Sequence, residues 1–311
     1  MFIHSRSLAI LVLLAGLPLP AHPRHRQPAN QAEGQAIHRV EKLSDHAYAI
    51  YGQGGNVGLF LTETHAVLVD DQFERLAPGL LKAIRSVTDK PIRYLVNTHA
   101  HPDHVGANLV LEKQVMAIVA HANVRRRMVL AQARLDHARQ GGLPELAFGE
   151  EDPKVRARLD IHLGKAEFHL LHVGPGHTDG DVMVGFPAEK VIHMGDLFFN
   201  GILPYIDTAN GGSFEGLVEQ INQVTAWLPE DARVIPGHGP VCGRKELLRY
   251  RDFLRAVQAH AKARPGLDPK ALAAGFDREA WADWKPLPNF VSWENLFAVA
   301  TGQGPGRDPK P

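Results

Sequence analysis

Six consecutive residues, His99-Ala100-His101-Pro102-Asp103-His104, carry three imidazoles and a carboxylate directly after the apolar run Ile92–Val96. On a looped backbone, His99 and His101 can turn to one point, while Asp103 and His104 turn to a second point beside it. Neutral imidazole nitrogen and carboxylate oxygen suit zinc at about 2.0–2.2 Å, and an open coordination position lets the ion acidify water to a pKa of about 7. The crowding therefore reads as a place for two metals, but a shared pair needs more ligands than this stretch provides. Three later turns offer them, each after a strand-like run: Gly176-His177-Thr178, Gly195-Asp196 and Gly237-His238-Gly239. With His177 joining His99 and His101, and His238 joining Asp103 and His104, each ion has three terminal ligands. Asp196 can then bridge the ions through separate oxygens. Two zinc ions sharing a hydroxide would leave positions for a substrate carbonyl or phosphoryl oxygen.

The elements that must position these side chains follow from periodicity. His46 to Tyr51, Val57 to Thr62 and His65 to Val69 predict an antiparallel meander ending at Asp70 and Asp71. Leu76, Leu80, Leu81 and Ile84 predict a helix before Pro91, and Ile92–Val96 a buried strand that delivers the cluster. Met116 to Ala120 reads as a strand. Val124 to Arg139 reads as a long helix, with Met128, Leu135 and Ala138 inward and Arg125, Arg126 and Arg127 on a solvated face. Gly141 to Glu151 reads as a loop. Strands are expected within Ile161 to Val173, at Val182 to Phe186, at Val191 to Met194 and at Val234-Ile235. Helices are expected from a Ser213 cap to Leu228 and over Glu246 to Lys262.

Zero net charge over 311 residues gives no bulk attraction to nucleic acid, and 44% hydrophobic residues suffice for one large core. Met1 to Ala21 has the charge, apolar run and Pro break of a signal peptide, so export to a periplasm or beyond is expected, with no stable membrane span in the mature chain. Residues 22–36 read as a flexible leader, 37–265 as the domain and 266–311 as a C-terminal extension packing on it. Cys242 is the only cysteine, so no internal disulfide can form. Among the 18 histidines, His46, His65, His121, His137, His169, His172 and His193 read as packed or solvated. Asp70 and Asp181 are candidates for orienting ligand imidazoles, or for forming turns. The apolar stretch Leu197 to Ile206 reads as a pocket wall or as buried packing. On the pocket reading, the partner is a small molecule with an apolar portion. Besides Asp103, the candidate catalytic residues are Asn200 and Tyr205, which could polarise a substrate oxygen.

The ordered set Thr98-His99-Ala100-His101-Pro102-Asp103-His104, Gly176-His177-Thr178, Gly195-Asp196 and Gly237-His238-Gly239, with Asp70 after an early strand, resembles the metallo-β-lactamase superfamily. The resemblance implies an α+β fold, a four-layer αββα sandwich with its metal site at one edge of the sheets. Asp196 stands where one zinc β-lactamase subclass has cysteine, which makes the pattern similar to the hydrolase branch of glyoxalase II and lactonases. The implied activity is a binuclear zinc-dependent hydrolase that attacks an ester, lactone, thioester or amide with the bridging hydroxide. Alternatives are a zinc β-lactamase, an enzyme like the mononuclear iron persulfide dioxygenases, and a non-catalytic metal-binding protein. The ligand types leave zinc, iron and a mixed pair open.

Overall fold

In this computed structural model, residues 38–133, 140–152, 154–288 and 290–304 are described. One sheet runs in chain order: β1 (Arg39–Lys42), β2 (Ala47–Tyr51), β3 (Val57–Leu61), β4 (Ala66–Val69), β5 (Ile92–Val96), β6 (Val115–His121) and β7 (Leu146–Phe148). The other comprises β8 (Ala157–Leu163), β9 (Ala166–His172), β10 (Met183–Phe186), β11 (Val191–His193), β12 (Arg233–Ile235) and β13 (Cys242–Gly243), ordered from β13 back to β8. Phe60, Val67 and Val96 of the first sheet share a core with Phe168, Leu170 and Val184 of the second. The outer face of the first sheet packs against α1 (Ala77–Val87) through Leu80 and Ile84, joined by Leu111 of the short α3 (Asn108–Leu111). Against the outer face of the second lie α5 (Phe214–Trp227) and α6 (Arg244–Lys262). These are the four layers of the αββα sandwich. β3 and β4 are buried on both sides, which explains why their sequence is apolar without alternation.

Strand direction determines where the chemistry sits. β4, β5 and β6 are mutually parallel, so their C-terminal ends lie together, and Asp70, Asn97 and His121 leave the sheet at one edge. β11 and β12 are also parallel, bringing the turns at Asp196 and His238 side by side. The sequence-derived strands and helices are found with shifts of a few residues. β1 and β13 were not anticipated, and β7 occupies the segment read as a loop, paired in parallel with β6. The α4 helix is described over Ala122–Gln132. The expected signal peptide and leader, Leu135, His137 and Ala138 all lie outside the described residues. No helix among the described residues is long and apolar enough to cross a membrane.

The C-terminal segment completes the core around Trp284, which stacks on Phe253 with ring centroids 4.8 Å apart. Its Nε1 donates to the Phe199 carbonyl at 3.1 Å, so the tail is tied to the loop that follows Asp196. α7 (Pro269–Gly275) and α8 (Trp293–Ala300) flank it and bury Leu272, Trp293 and Phe297.

His121 joins the two sheets without any ligand role. Its Nδ1 caps α4 by accepting from Asn123 N at 3.3 Å, and its ring stacks on His172 at 3.9 Å. Burial, and then the second imidazole, push His121 down to about 3. The unfolded chain takes up a proton near pH 6.5 and the folded chain does not. Stability is therefore complete above about pH 6.5 and falls as the pH drops toward 3, at up to about 1.4 kcal/mol per pH unit from this group. His121→Gln should show a shallower decline than the wild type in denaturation series between pH 6 and 4. Equal slopes would remove His121 as a source of acid sensitivity.

Candidate metal centre

The loop after β5 is clamped at both ends by reciprocal amides: Asn97 Nδ2 donates to Asn108 Oδ1 at 3.1 Å, and Asn108 Nδ2 to Asn97 Oδ1 at 2.8 Å. Between them, His101 precedes the one-turn helix α2 (Pro102–Val105), whose first position is the proline that such a position favours. The His238 turn is held by Asn56 from the opposite sheet, whose amide donates to the Pro236 and Gly239 carbonyls at 2.9 and 2.8 Å. Gly237 has to be glycine, because a Cβ there would collide with Asp196 Oδ1.

All the histidine and aspartate candidates from the four motifs come together in two groups. His99, His101, His177 and Asp196 form one; Asp103, His104 and His238 form the other. Asp196 Oδ2 lies 3.7 Å from His99 Nε2 and 3.5 Å from His177 Nε2. Its Oδ1 lies 3.2 Å from His104 Nε2 and 3.4 Å from His238 Nε2. The carboxylate is thus shared between the groups, one oxygen to each. Two donors about 2.1 Å from one tetrahedral ion stand about 3.4 Å apart, which these separations match. His99 Nε2, His104 Nε2 and Asp196 Oδ1 are buried without a hydrogen-bond partner. Orphaned polar atoms are costly in a folded core, and a cation would satisfy all three. The donor set therefore fits divalent metal.

The electrostatics agree. Burial, followed by the neighbouring His104, drives His99 well below its usual range; burial, against the pull of Asp196, takes His177 down to about 4. Both imidazoles are neutral, as ligands must be. Asp196 is held ionised against its burial by the surrounding histidines, His238 foremost. On the second group the carboxylates outweigh burial: Asp196 raises His238 to about 9, and Asp196, Asp70 and Asp103 raise His104 well above its normal value. Positive charge is favoured there, whether as a proton or as a metal ion.

Supporting residues fix which nitrogen of each ring faces inward. Asp70 Oδ2 accepts from His104 Nδ1 at 2.7 Å and from Thr98 Oγ1 at 2.8 Å, and that hydroxyl in turn accepts from His99 Nδ1 at 3.0 Å. Both Nε2 atoms are thereby aimed at Asp196. The hold has a conformational cost, since Asp70 and Gln72 have φ of 61° and 65° without being glycine; strain of this kind persists where surrounding bonds enforce it. His177 Nδ1 donates to the Tyr205 carbonyl at 2.7 Å. His101 Nε2 donates to Asp207 at 2.8 Å, which turns its Nδ1 toward His177 Nε2, 2.9 Å away.

Asp207 was not found from sequence. Behind it, Asn210 donates to its carboxylate, and Arg127 binds Asn210 Oδ1 at 2.6 Å and Asp179 in a two-pronged pair at 2.7 and 2.5 Å. Arg127 therefore does not lie on a solvated helix face with Arg125 and Arg126, but anchors the loop that orients His101. Of the two orienting candidates, Asp70 does orient imidazoles, whereas Asp181 accepts from Thr178 N and Oγ1 and shapes the His177 turn. His193 packs as a structural residue, its Nε2 donating to the Asn56 carbonyl at 3.0 Å.

A cleft of about 430 Å³ opens over Asp103, Asp196, His101 and His238. Phe199, Ile202 and Tyr205 line it, while Phe198 and Leu203 are fully buried in the core, so the apolar loop divides between pocket and packing. Tyr205 stands beside both His101 and His177, with ring centroids 6.2 and 5.8 Å away. Asn200 gives its amide to the Pro240 carbonyl at 2.8 Å and so braces the His238 turn.

Residues 50–238 match the metallo-beta-lactamase superfamily, a span that contains all of these ligand candidates. A hydroxyacylglutathione hydrolase of Haemophilus influenzae is 30% identical over 195 residues, 62% of this chain and 89% of that protein. The alpha subunit of 2,4-dinitroanisole O-demethylase from a Nocardioides species is 25% identical over 260 residues, 79% of this chain and 67% of that one. A solved metallo-beta-lactamase from Pontibacter korlensis superposes with a TM-score of 0.57 over 70% of this chain and 99% of its own length, at 22% identity, which is a likeness of fold.

Removing the brace on His101 should weaken metal binding without unfolding the chain. Asp207→Ala is expected to lower zinc affinity about 10–100-fold, the usual effect of losing a ligand-orienting carboxylate, in chelator competition with folding followed in parallel. Wild-type affinity in that variant would show that the Asp207 contact is incidental.

Proposed function

The chain belongs to the metallo-beta-lactamase superfamily and is a metal-dependent hydrolase, and from that premise we propose that it holds two zinc ions and cleaves an ester, lactone, thioester or amide of a small molecule. One observation carries the two-ion reading: the oxygens of the buried Asp196 carboxylate face different histidine groups. His99, His101 and His177 would hold one ion, Asp103, His104 and His238 the other, and Asp196 both. When bound, such a pair supplies Lewis acidity toward a carbonyl oxygen and lowers the pKa of water toward about 7.

The remaining work falls to the protein. Asp70, Thr98, Asp207 and the Tyr205 carbonyl hold the imidazoles in fixed tautomers, so little reorganisation accompanies reaction. Phe199, stacked on His238 at 5.3 Å, and Ile202 exclude water from one side of the cleft. The Tyr205 side chain lines the cleft beside His101, and we assign its phenol a hydrogen bond to the substrate oxygen or leaving group. Asp103 lines the cleft with its side chain 22% exposed, so its carboxylate is placed to pass protons between site and solvent. Asn200 contributes by bracing the His238 turn. The relatives' names point to hydroxyacylglutathione in one case and to a neutral aryl ether in the other, and both support a small-molecule substrate.

Purified protein loaded with zinc should contain two ions per chain and turn over at least one member of a panel of esters, lactones, thioesters, phosphodiesters and β-lactams. His101→Ala and Asp103→Ala should each reduce kcat/KM by more than the roughly 10–100-fold typical of supporting residues. Near-wild-type turnover in either variant would sink the ligand assignment. Less than one ion per folded chain would sink the metal reading, and oxygen uptake with a persulfide would redirect it to iron chemistry.

A further inference from the structure

The superfamily match ends at His238, yet part of the cleft wall comes from much later in the chain. After the buried Trp284, the backbone pairs with the loop that follows Asp196: Leu203 N donates to the Lys285 carbonyl at 2.9 Å, and Lys285 N to the Gly201 carbonyl at 3.3 Å. A turn then closes through Leu287 and Val291, with Leu287 N donating to the Val291 carbonyl at 3.0 Å. This turn presents Leu287 and Phe290 to the cleft. The Phe290 ring centroid lies 4.8 Å from that of Tyr205. Leu287 and Phe290 remain exposed, at 42% and 46%, although exposing large apolar side chains forgoes the stabilisation that burial would give.

Outside the candidate metal groups, the described lining of the same cleft offers no fixed cation. None of the eleven described residues that line it is Lys or Arg, and its histidines and carboxylates, His101, Asp103, Asp196 and His238, all belong to the candidate ligand groups. Arg75 lies over the Phe73 ring at 4.7 Å, but it donates to Gln53 at 2.7 Å and is not part of the lining. A substrate with an anionic group remote from the scissile bond would find no Lys or Arg to pair with among the described lining residues. The volume is at the lower end of the about 300–1,000 Å³ usual for small-molecule sites, which suits a compact ligand.

We propose that Leu287 and Phe290, with Ile202 and Tyr205, form a specificity wall that selects substrates whose portion beside the reacting carbonyl is uncharged and apolar. The bond that is broken rests on the hydrolase reading above; the selection rests on the cleft itself. An apolar chain laid along this wall leaves water together with both exposed side chains, and each added methylene that becomes buried strengthens binding up to about fourfold.

The test separates the two claims by measuring binding without turnover. Dissociation constants of 2-butanone, 2-hexanone and 2-octanone are measured on the zinc-loaded full chain by ligand-observed NMR. The expected result is a two- to fourfold gain per methylene in the wild type. In Leu287→Ser/Phe290→Ser the series should flatten, while zinc content stays unchanged. A chain with a terminal carboxylate, 6-oxoheptanoate, should bind more weakly than 2-octanone. A flat wild-type series, a preference for the carboxylate, or an unchanged slope in the double variant overturns the wall. So does a dimer in sedimentation that the double variant abolishes, because a second copy would then cover these side chains. If the double variant does not fold, Phe290→Ala carries the same comparison with half the change in slope. A steep ketone series together with no hydrolysis of any panel substrate supports the wall and overturns only the proposed reaction.

Discussion

A carboxylate taken fully out of water has to be matched by positive charge, or it costs several kcal/mol. Asp196 is such a carboxylate, 5% exposed and ringed by His99, His104, His177 and His238. Much of the local architecture serves that requirement. The imidazoles are turned so that an Nε2 faces the carboxylate, and the opposite nitrogens of three of them have partners: Thr98 for His99, Asp70 for His104, the Tyr205 carbonyl for His177. These bonds make the rings poor at reorienting, and that is the property a metal site needs, because loosely held ligands spend binding energy on ordering themselves.

Crowding so many polar groups at one point is feasible only at the rim of a rigid scaffold. Each ligand-bearing turn follows a strand, and parallel pairing of β4 with β5 and of β11 with β12 brings those strand ends together in pairs. The two sheets are then locked across the site by Asn56, which donates to both sides of the His238 turn. The absence of a side chain matters as much as the presence of one: at Gly237 the backbone must approach Asp196, and at Gly55 a Cβ would collide with the His104 ring. Moving either turn outward would restore space but separate the two groups.

The two groups of candidate ligands were legible in the sequence because they are local. His99 to His104 is a single loop, and the three later turns carry their histidine or aspartate next to glycine, a pattern that survives without knowledge of the fold. Long strands and helices were legible for the same reason: their periodicity is written within ten or fifteen residues. What failed was whatever depends on distant pairing. β7 is three residues long and exists because β6 offers an edge. Arg127 looked like one of three equivalent arginines until the fold set Asp179 and Asn210 against it. Asp207 sits in a loop with no motif around it, and only its distance to His101 gives it meaning. Leu203 and Tyr205 are two residues apart in one apolar run, yet the chain direction buries one and turns the other to the cleft.

On the specificity wall proposed above, that division would let the chain combine a shared chemical centre with a substrate preference of its own. The ligand groups and their braces lie within residues 50–238, where any change in backbone path would disturb several bonds at once. The cleft mouth, in contrast, is completed by a turn at Leu287 to Val291 that follows Lys285, whose backbone makes two hydrogen bonds to the loop after Asp196, and the segment is anchored by Trp284 rather than by any candidate ligand. Substitutions at its exposed positions leave the charge balance around Asp196 untouched. Buried charge is thus held by a dense set of hydrogen bonds, whereas the proposed wall presents side chains that remain partly exposed.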